Sequence, residues 1–508
     1  MSLDPSTPVV VGVGQSAERI DDPGYRAMSP VELAAAAARA ALVDCGGDVG
    51  SVAAAVDTVA GVRQFEISGP IATAVLGRSN NYPRSVAKRL GAEPGRAILE
   101  IVGGQGPQHL ISELAAEIAA GRSGVTLIFG SDATSTLRHF AKADTKPDFT
   151  ETVDGDLEDR GHGIEKLISR YTVVHGLTSA PIQYALLENA RRAGTGLGPA
   201  EYRRRMGELF APFTKVAANN PFAAAPVERT VDELITVTES NRMIAEPYPR
   251  LMVARDQVNQ GAAALLMSVE AARRLGVPER NWVYLHGHTD LEEQALLERP
   301  DLGHAPSAVL AARGALGMAG IGVDDVATFD LYSCFPVPVF NICDGLGIAP
   351  DDPRGLTLTG GLPFFGGAGN NYSMHAVAET VAQMRSMPGQ FGLVGANGGL
   401  LSKYSVGVYS TTPAEWKPDR SASLQAQIDG RPTRPVTENA DGAGTVETYT
   451  VRRDDGRPTG IIIGRLDDGS RFLSTTEDDE LIALLTDGEP LGHPVRVRSF
   501  DYGNRCTL

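Results

Sequence analysis

One pattern constrains this chain most: a β-branched run, an Ala-rich helical segment and another apolar run, in a series that occurs twice. In the first series, PVVVGV at residues 8–13 reads as a buried strand. Ser29-Pro30 opens a helix, with Ser29 as N-cap and Pro30 where its missing N–H costs nothing. The segment VELAAAAARAALVDCG carries the helix to a stop at Gly46, and AILEIV (97–102) is the next strand. A helix from Pro107 to Ala120 has Leu110, Ile111, Leu114 and Ile118 on one face and Gly121 as its stop. VTLIFG (125–130) follows as a strand. Unbroken apolar runs of this kind predict parallel strands covered by helices on both faces.

Residues 136–250 are more polar and read as an excursion, after which GAAALLMS (261–268) returns a strand to the first sheet. The second series begins at Trp282 with WVYLHGH, PSAVLAARGALGMAG and FDLYSCF. A Gly-rich stretch at 360–369, a helix over 375–387, and the strands FGLVGANGG and SVGVYS complete it. Two α/β halves in the same order imply an internal duplication. Residues 413–444, rich in Pro, Asp, Arg and Gly, read as a linker. Beyond it the period becomes two, through Val446, Thr448 and Thr450, GIIIGRL, SRFLS and PVRVRSF, with turns at Asp455-Gly456 and Asp468-Gly469. That predicts a small antiparallel, OB-like barrel. The expected units are 1–135 with 251–278, the excursion 136–250, the second half 279–412, the linker 413–444 and the barrel 445–508.

Length and charge remove several function classes. A chain of 508 residues needs more than one core. Its net charge of −16 argues against generic nucleic-acid binding. No apolar run reaches the ~18 residues of a membrane span. The start, MSLDPSTPVVVGVG, lacks the basic and apolar regions of a secretion signal. Cys45, Cys334, Cys343 and Cys506 form no C-x-x-C pair, so no metal site is expected and a reducing, cytoplasmic location is.

Four segments carry a resemblance. They are IVGGQGPQHL (101–110), ALGMAGIGVDDVATFDLYSCF (315–335), GGLPFFGGAGNNYSMH (360–375) and LVGANGGLLS (393–402). In order and framing they resemble the nucleophile turn, the N-E-A-F or H-D-C-F loop, the G-H-P segment and the C-x-G segment of the thiolase superfamily. The nearest branch is that of the sterol-carrier-protein thiolases, and within it the thiolase-like proteins of type 1, which carry an extra C-terminal domain. The resemblance spans residues 8–412 and implies a five-layered αβαβα fold.

The catalytic letters of that family are mostly absent. Its nucleophilic Cys corresponds to Gln105, which neither ionises nor holds an acyl group. Gly366-Gly367-Ala368 stands for G-H-P, so the activating His is missing, and Ala396-Asn397-Gly398 stands for C-x-G. Cys334 matches the Cys of H-D-C-F, an acid/base candidate, and Tyr332 replaces its His. His375, one turn past the Gly-rich loop, is a third candidate, set against a purely local role. The expected oxyanion or acyl-CoA pocket comprises Gln105, Gly106, Gly367, Asn397 and Gly398. His109 is expected to face core or solvent. The run Arg203-Arg204-Arg205 reads either as a solvated face or as a partner for coenzyme A phosphates. Leu491-Gly492-His493-Pro494 spells G-H-P in the wrong domain and reads as a tight entry into a strand.

The resemblance implies a protein that handles an acyl-CoA thioester, with no resident cofactor and classical thiolase activity absent. A second reading is a retro-aldolase on a 3-hydroxyacyl-CoA using Tyr332 and Cys334. Thiolase-fold aldolases of that kind act with an OB-fold partner similar to residues 445–500, although no zinc ribbon precedes the barrel here. A third reading is a non-enzymatic scaffold whose barrel binds a protein partner. Nucleic acid and a membrane are not expected partners, and both monomer and dimer remain open.

Overall fold

The computed structural model of the chain describes residues 3–69, 71–164, 167–453 and 456–508. The first sheet has six strands in the spatial order Pro8–Ala17, Gln260–Ser268, Val125–Asp132, Thr58–Gly61, Arg96–Leu99, Glu158–Asp159. The last four strands run parallel. The returning strand Gln260–Ser268 is antiparallel to both its neighbours, so the sheet is mixed rather than wholly parallel. Every residue of that strand is buried, and a strand buried on both faces has the same sequence pattern in either direction.

The first helix, Pro30–Asp44, is held by a Ser29–Glu32 capping box. Its backbone lies against the first strand: a Cβ at Gly12 or Gly14 would collide with the carbonyl of Ala41 or Ala37. The second sheet has the order Val326–Leu331, Phe391–Gly398, Lys403–Ser410, Tyr284–Glu292. Between the sheets lie helices Gly106–Ala119 and Tyr372–Ser386. One core joins Leu110 and Leu114 of the first helix, Met374 and Val377 of the second, Val10 and Ile98 of one sheet, and Val394 and Tyr409 of the other. Pro30–Asp44 and Tyr82–Leu90 cover the outer face of the first sheet, and Pro306–Ala319 and Pro336–Leu346 that of the second. This is the five-layered thiolase architecture.

The C-terminal strands Gly442–Arg452, Thr459–Leu466, Arg471–Thr476, Pro494–Phe500 and Gly503–Thr507 close into a barrel, since the first pairs with both the second and the fourth. The third and fifth are parallel, and helix Asp479–Asp487 connects the third to the fourth. That is OB topology. Gly469 turns the second hairpin with φ 85°. At the other expected turn, Asp455 lies outside the described residues.

The stretch 413–444 is more than a linker. It contains helix Ser421–Asp429, whose Ser421 Oγ accepts from Asp290 N at 2.8 Å and whose Gln425 accepts from Glu292 N at 2.8 Å. The excursion supplies helices Ala180–Thr195 and Pro199–Asn219 and the short strands Met243–Ala245 and Tyr248–Pro249, which extend the barrel's sheet. The barrel is also bolted to the body. Arg471 is fully buried and donates to Leu297 O at 2.6 Å and Arg299 O at 2.7 Å, while Glu447 pairs with its guanidinium. Among the described residues no helix is long and apolar enough to cross a membrane.

Candidate functional site

The strand Arg96–Leu99 runs into a turn that ends in helix Gly106–Ala119, and Gln105 is its N-cap residue. Gln105 is buried, at 5% exposure, and its side chain is wedged between Gly103 and Gly398: a Cβ on either glycine would fall inside its Oε1. That Oε1 has no hydrogen-bond partner. The turn closes on itself through Gly106 N to Gly103 O at 2.9 Å. The segment after the Gly-rich loop holds it from outside, since Asn370 Oδ1 accepts from Gly103 N at 3.0 Å and Ser373 Oγ donates to Gly104 O at 2.5 Å.

The second half brings Cys334 and Tyr332 to the same place. Tyr332 leans over Gly104, where an added Cβ would strike its hydroxyl. Its ring meets Tyr372 edge-on at 5.4 Å, and burial, with Cys334 nearby, raises its hydroxyl pKa. Tyr372 shares a 2.6 Å hydrogen bond with Thr359, which donates to Asp330 at 2.9 Å; burial lifts the Asp330 carboxyl to about 6. Burial pushes the Cys334 thiol up to about 12, with its contact to Tyr184 a smaller opposing influence. Asn397 donates to the Tyr184 hydroxyl at 3.0 Å, and Asn397 Oδ1 is unpartnered. Gln105, Gly398, Asn397, Tyr332 and Cys334 therefore converge.

Three other sequence candidates sit differently. The Gly106 amide is engaged within the turn, and the Gly367 amide donates to Arg255 O at 2.8 Å, so both are occupied inside the chain. His375 is fully buried with Nδ1 on Gln15 Oε1 at 2.6 Å, and burial lowers it to about 3. Gln15 in turn donates to Glu379 at 2.9 Å, which also accepts from Asn220 at 2.9 Å. Among the described residues no hydrogen bond or ring contact joins His375 to Cys334 or Gln105. His109 lies between Glu113 (3.4 Å) and Asp290 (3.3 Å), and these partners outweigh its burial to hold it well above the usual histidine range. With Glu100 and Glu113 it offers ligand atoms within 4.8 Å of one another. Arg160 already bridges the two glutamates at 2.7 and 2.6 Å, so the set is a matched ion-pair network. His493 caps the turn into strand Pro494–Phe500 with Nδ1 on Pro494 O at 2.9 Å.

Sequence reasoning missed the excursion's contribution. Tyr184 and Glu188 share one face of helix Ala180–Thr195, an i,i+4 spacing that was the available signal. Glu188 is fully buried and accepts from Tyr202 at 2.5 Å, Tyr248 at 2.7 Å and Val337 N at 2.8 Å. Phe335 lies between Tyr184, stacked at 4.5 Å, and Tyr248 at 4.9 Å. The loop that carries Cys334 is therefore clamped by the excursion.

The chain matches the crystal structure of a monomeric SCP2-thiolase like protein type 1 from Mycobacterium smegmatis at 57% identity and a TM-score of 0.88, over 100% of both chains. It belongs to the SCP2-thiolase-like proteins of type 1. The family model "Thiolase-like protein type 1 additional C-terminal domain" matches residues 423–501, which begins inside helix Ser421–Asp429 and takes in most of the barrel. The dimeric peroxisomal thiolase of Saccharomyces cerevisiae shares the fold at 14% identity and a TM-score of 0.58, covering 80% of this chain and 98% of its own. The Ltp2-ChsH2(DUF35) aldolase does so at 18% identity and 0.59, covering 81% and 100%. No curated protein matches the sequence.

Proposed function

We propose that this type 1 member handles a coenzyme A thioester without forming an acyl-enzyme. One observation carries the reading: the turn that resembles the thiolase nucleophile turn ends in Gln105, a buried amide wedged between two glycines. An amide at a helix mouth can orient a carbonyl but cannot take an acyl group. Cys334 does not replace it, because a thiol raised to about 12 is protonated at neutral pH.

The test is loss of acetoacetyl-CoA in the presence of coenzyme A, for the wild type and Cys334→Ala together, with calorimetry of acetyl-CoA binding alongside. No cleavage by either protein and saturable binding are expected. Cleavage that depends on Cys334 would overturn the reading, as would the absence of any acyl-CoA affinity.

A second reading, retro-aldol cleavage of a 3-hydroxyacyl-CoA, is favoured by Tyr332. That step breaks the C2–C3 bond, releases the 3-hydroxyl proton as the carbonyl forms and returns a proton to C2; it needs no thiolate. Burial keeps the Tyr332 hydroxyl protonated, so it can pass its proton to C2 as that carbon leaves and take up the proton that leaves the 3-hydroxyl. A fold relative at 18% identity is described as an aldolase, and this chain carries its own barrel. Aldehyde or ketone release from a 3-hydroxyacyl-CoA that Tyr332→Phe abolishes would establish this reading; release unchanged in Tyr332→Phe would remove Tyr332 from it.

A further inference from the structure

We propose that the cleft between the excursion and the barrel binds a phosphate-bearing small molecule. It is a cavity of about 440 Å³ lined chiefly by Arg203, Arg242, Met243, Glu246, Arg453 and Asp487. That volume lies within the range of small-molecule sites. Three guanidinium groups arrive on three separate segments: Arg203 on helix Pro199–Asn219, Arg242 just before the strand Met243–Ala245, and Arg453 just past barrel strand Gly442–Arg452. In a chain of net charge −16, this is a local excess of cation over the two lining carboxylates.

The carboxylates do not cancel it. Glu246 is buried and already engaged by Arg203 at 3.3 Å, so its charge is matched by that one arginine. Asp487 sits at the exposed end of helix Asp479–Asp487. The exposed guanidinium groups of Arg242 and Arg453 supply planar forks that match phosphate geometry, beside Arg203 on the same cleft. Met243 gives the rest of the ligand an apolar wall. Of the Arg203-Arg204-Arg205 run, only Arg203 lines the cleft; Arg204 and Arg205 pair with Asp232 and Glu208.

The cleft is distinct from the site at Gln105: its lining residues include none of Gln105, Tyr332, Cys334, Asn397 or Gly398. The inference does not rest on thioester handling, and its test uses no thioester. The intact protein is titrated calorimetrically with adenosine 3′,5′-bisphosphate, with adenosine as the uncharged control. Saturable heat is expected for the bisphosphate only, weakened at least about tenfold in Arg242→Ala/Arg453→Ala, whose two positions are exposed and leave folding intact. Arg204→Ala/Arg205→Ala should bind as the wild type does. Equal weakening in both double variants would reduce the effect to general surface charge and overturn the site. No bisphosphate binding, or binding indifferent to Arg242 and Arg453, would overturn it too. With the site established, a loss in dephospho-CoA relative to coenzyme A assigns it to the ribose phosphate of that molecule, and equal affinity assigns it to a free phosphate ester.

Discussion

The two halves each present a strand, a turn and a helix mouth, and they differ as settings for a thiolate. In the first half, strand Arg96–Leu99 leads to helix Gly106–Ala119, whose mouth lacks an acidic residue in its first turn, but the residue there is Gln105. In the second, strand Val326–Leu331 leads to helix Pro336–Leu346, and a thiol is present just before it. That mouth is filled by Glu188, whose carboxyl accepts Val337 N at 2.8 Å. A helix N-terminus lowers a thiol's pKa by presenting partial positive charge. A carboxyl bound at the same mouth cancels that help, and Glu188 adds to the burial that raises Cys334. One corner has the field and no thiol; the other has the thiol and a carboxyl against the field.

The largest effect should come from the second corner. Glu188→Ala leaves the Tyr202 and Tyr248 hydroxyls and the Val337 amide without their shared acceptor in a fully buried place. A loss of about 4 kcal/mol is expected in urea unfolding. Glu188→Gln retains an acceptor at less cost and removes the negative charge, so the Cys334 thiol should titrate at lower pH. An unmoved thiol in Glu188→Gln would break the comparison, because burial alone would then account for the raised value.

The first corner gives a smaller, sharper test. Gly398→Ala puts a methyl group into Gln105 Oε1 and should cost about 2 kcal/mol, as overpacking does. Gln105→Ala removes the obstacle, so the double variant should recover most of that loss. Additive losses in the cycle would mean that Gln105 is not what fills the space beside Gly398.

How much of this was legible follows from where the partners come from. The two halves, the turn at Gln105 and the barrel all rest on local patterns, with apolar runs, caps such as Ser29 and a period of two after residue 440. The strand Gln260–Ser268 was read as returning to the first sheet, and it does; its antiparallel direction has no local signal because burial on both faces erases it. The helix Ser421–Asp429 was missed because its surroundings are rich in loop residues and only two of its residues are buried. Glu188 and Tyr184 reach Val337 and Cys334 from a segment whose polarity looked like loop, and no local pattern announces a partner 149 residues away.

His375 shows the same limit and gives the smallest effect. Its position one turn past the Gly-rich loop pointed toward the site, but its partner is Gln15, 360 residues earlier. Burial holds its folded pKa near 3, below the ordinary 6.5. A depressed histidine contributes stability that is complete above the unfolded value and is lost as pH falls toward the folded one. Between about pH 6 and pH 5 the wild type should lose about 1 kcal/mol more than His375→Gln, read as the difference in their pH-dependent unfolding free energies. The thioester site proposed above is at Gln105, so the same substitution should leave acetyl-CoA affinity unchanged. A parallel loss of affinity in His375→Gln would draw the Gln15–His375–Glu379 network into the site and make the helix Tyr372–Ser386, which carries Ser373 against the Gln105 turn, the link between them.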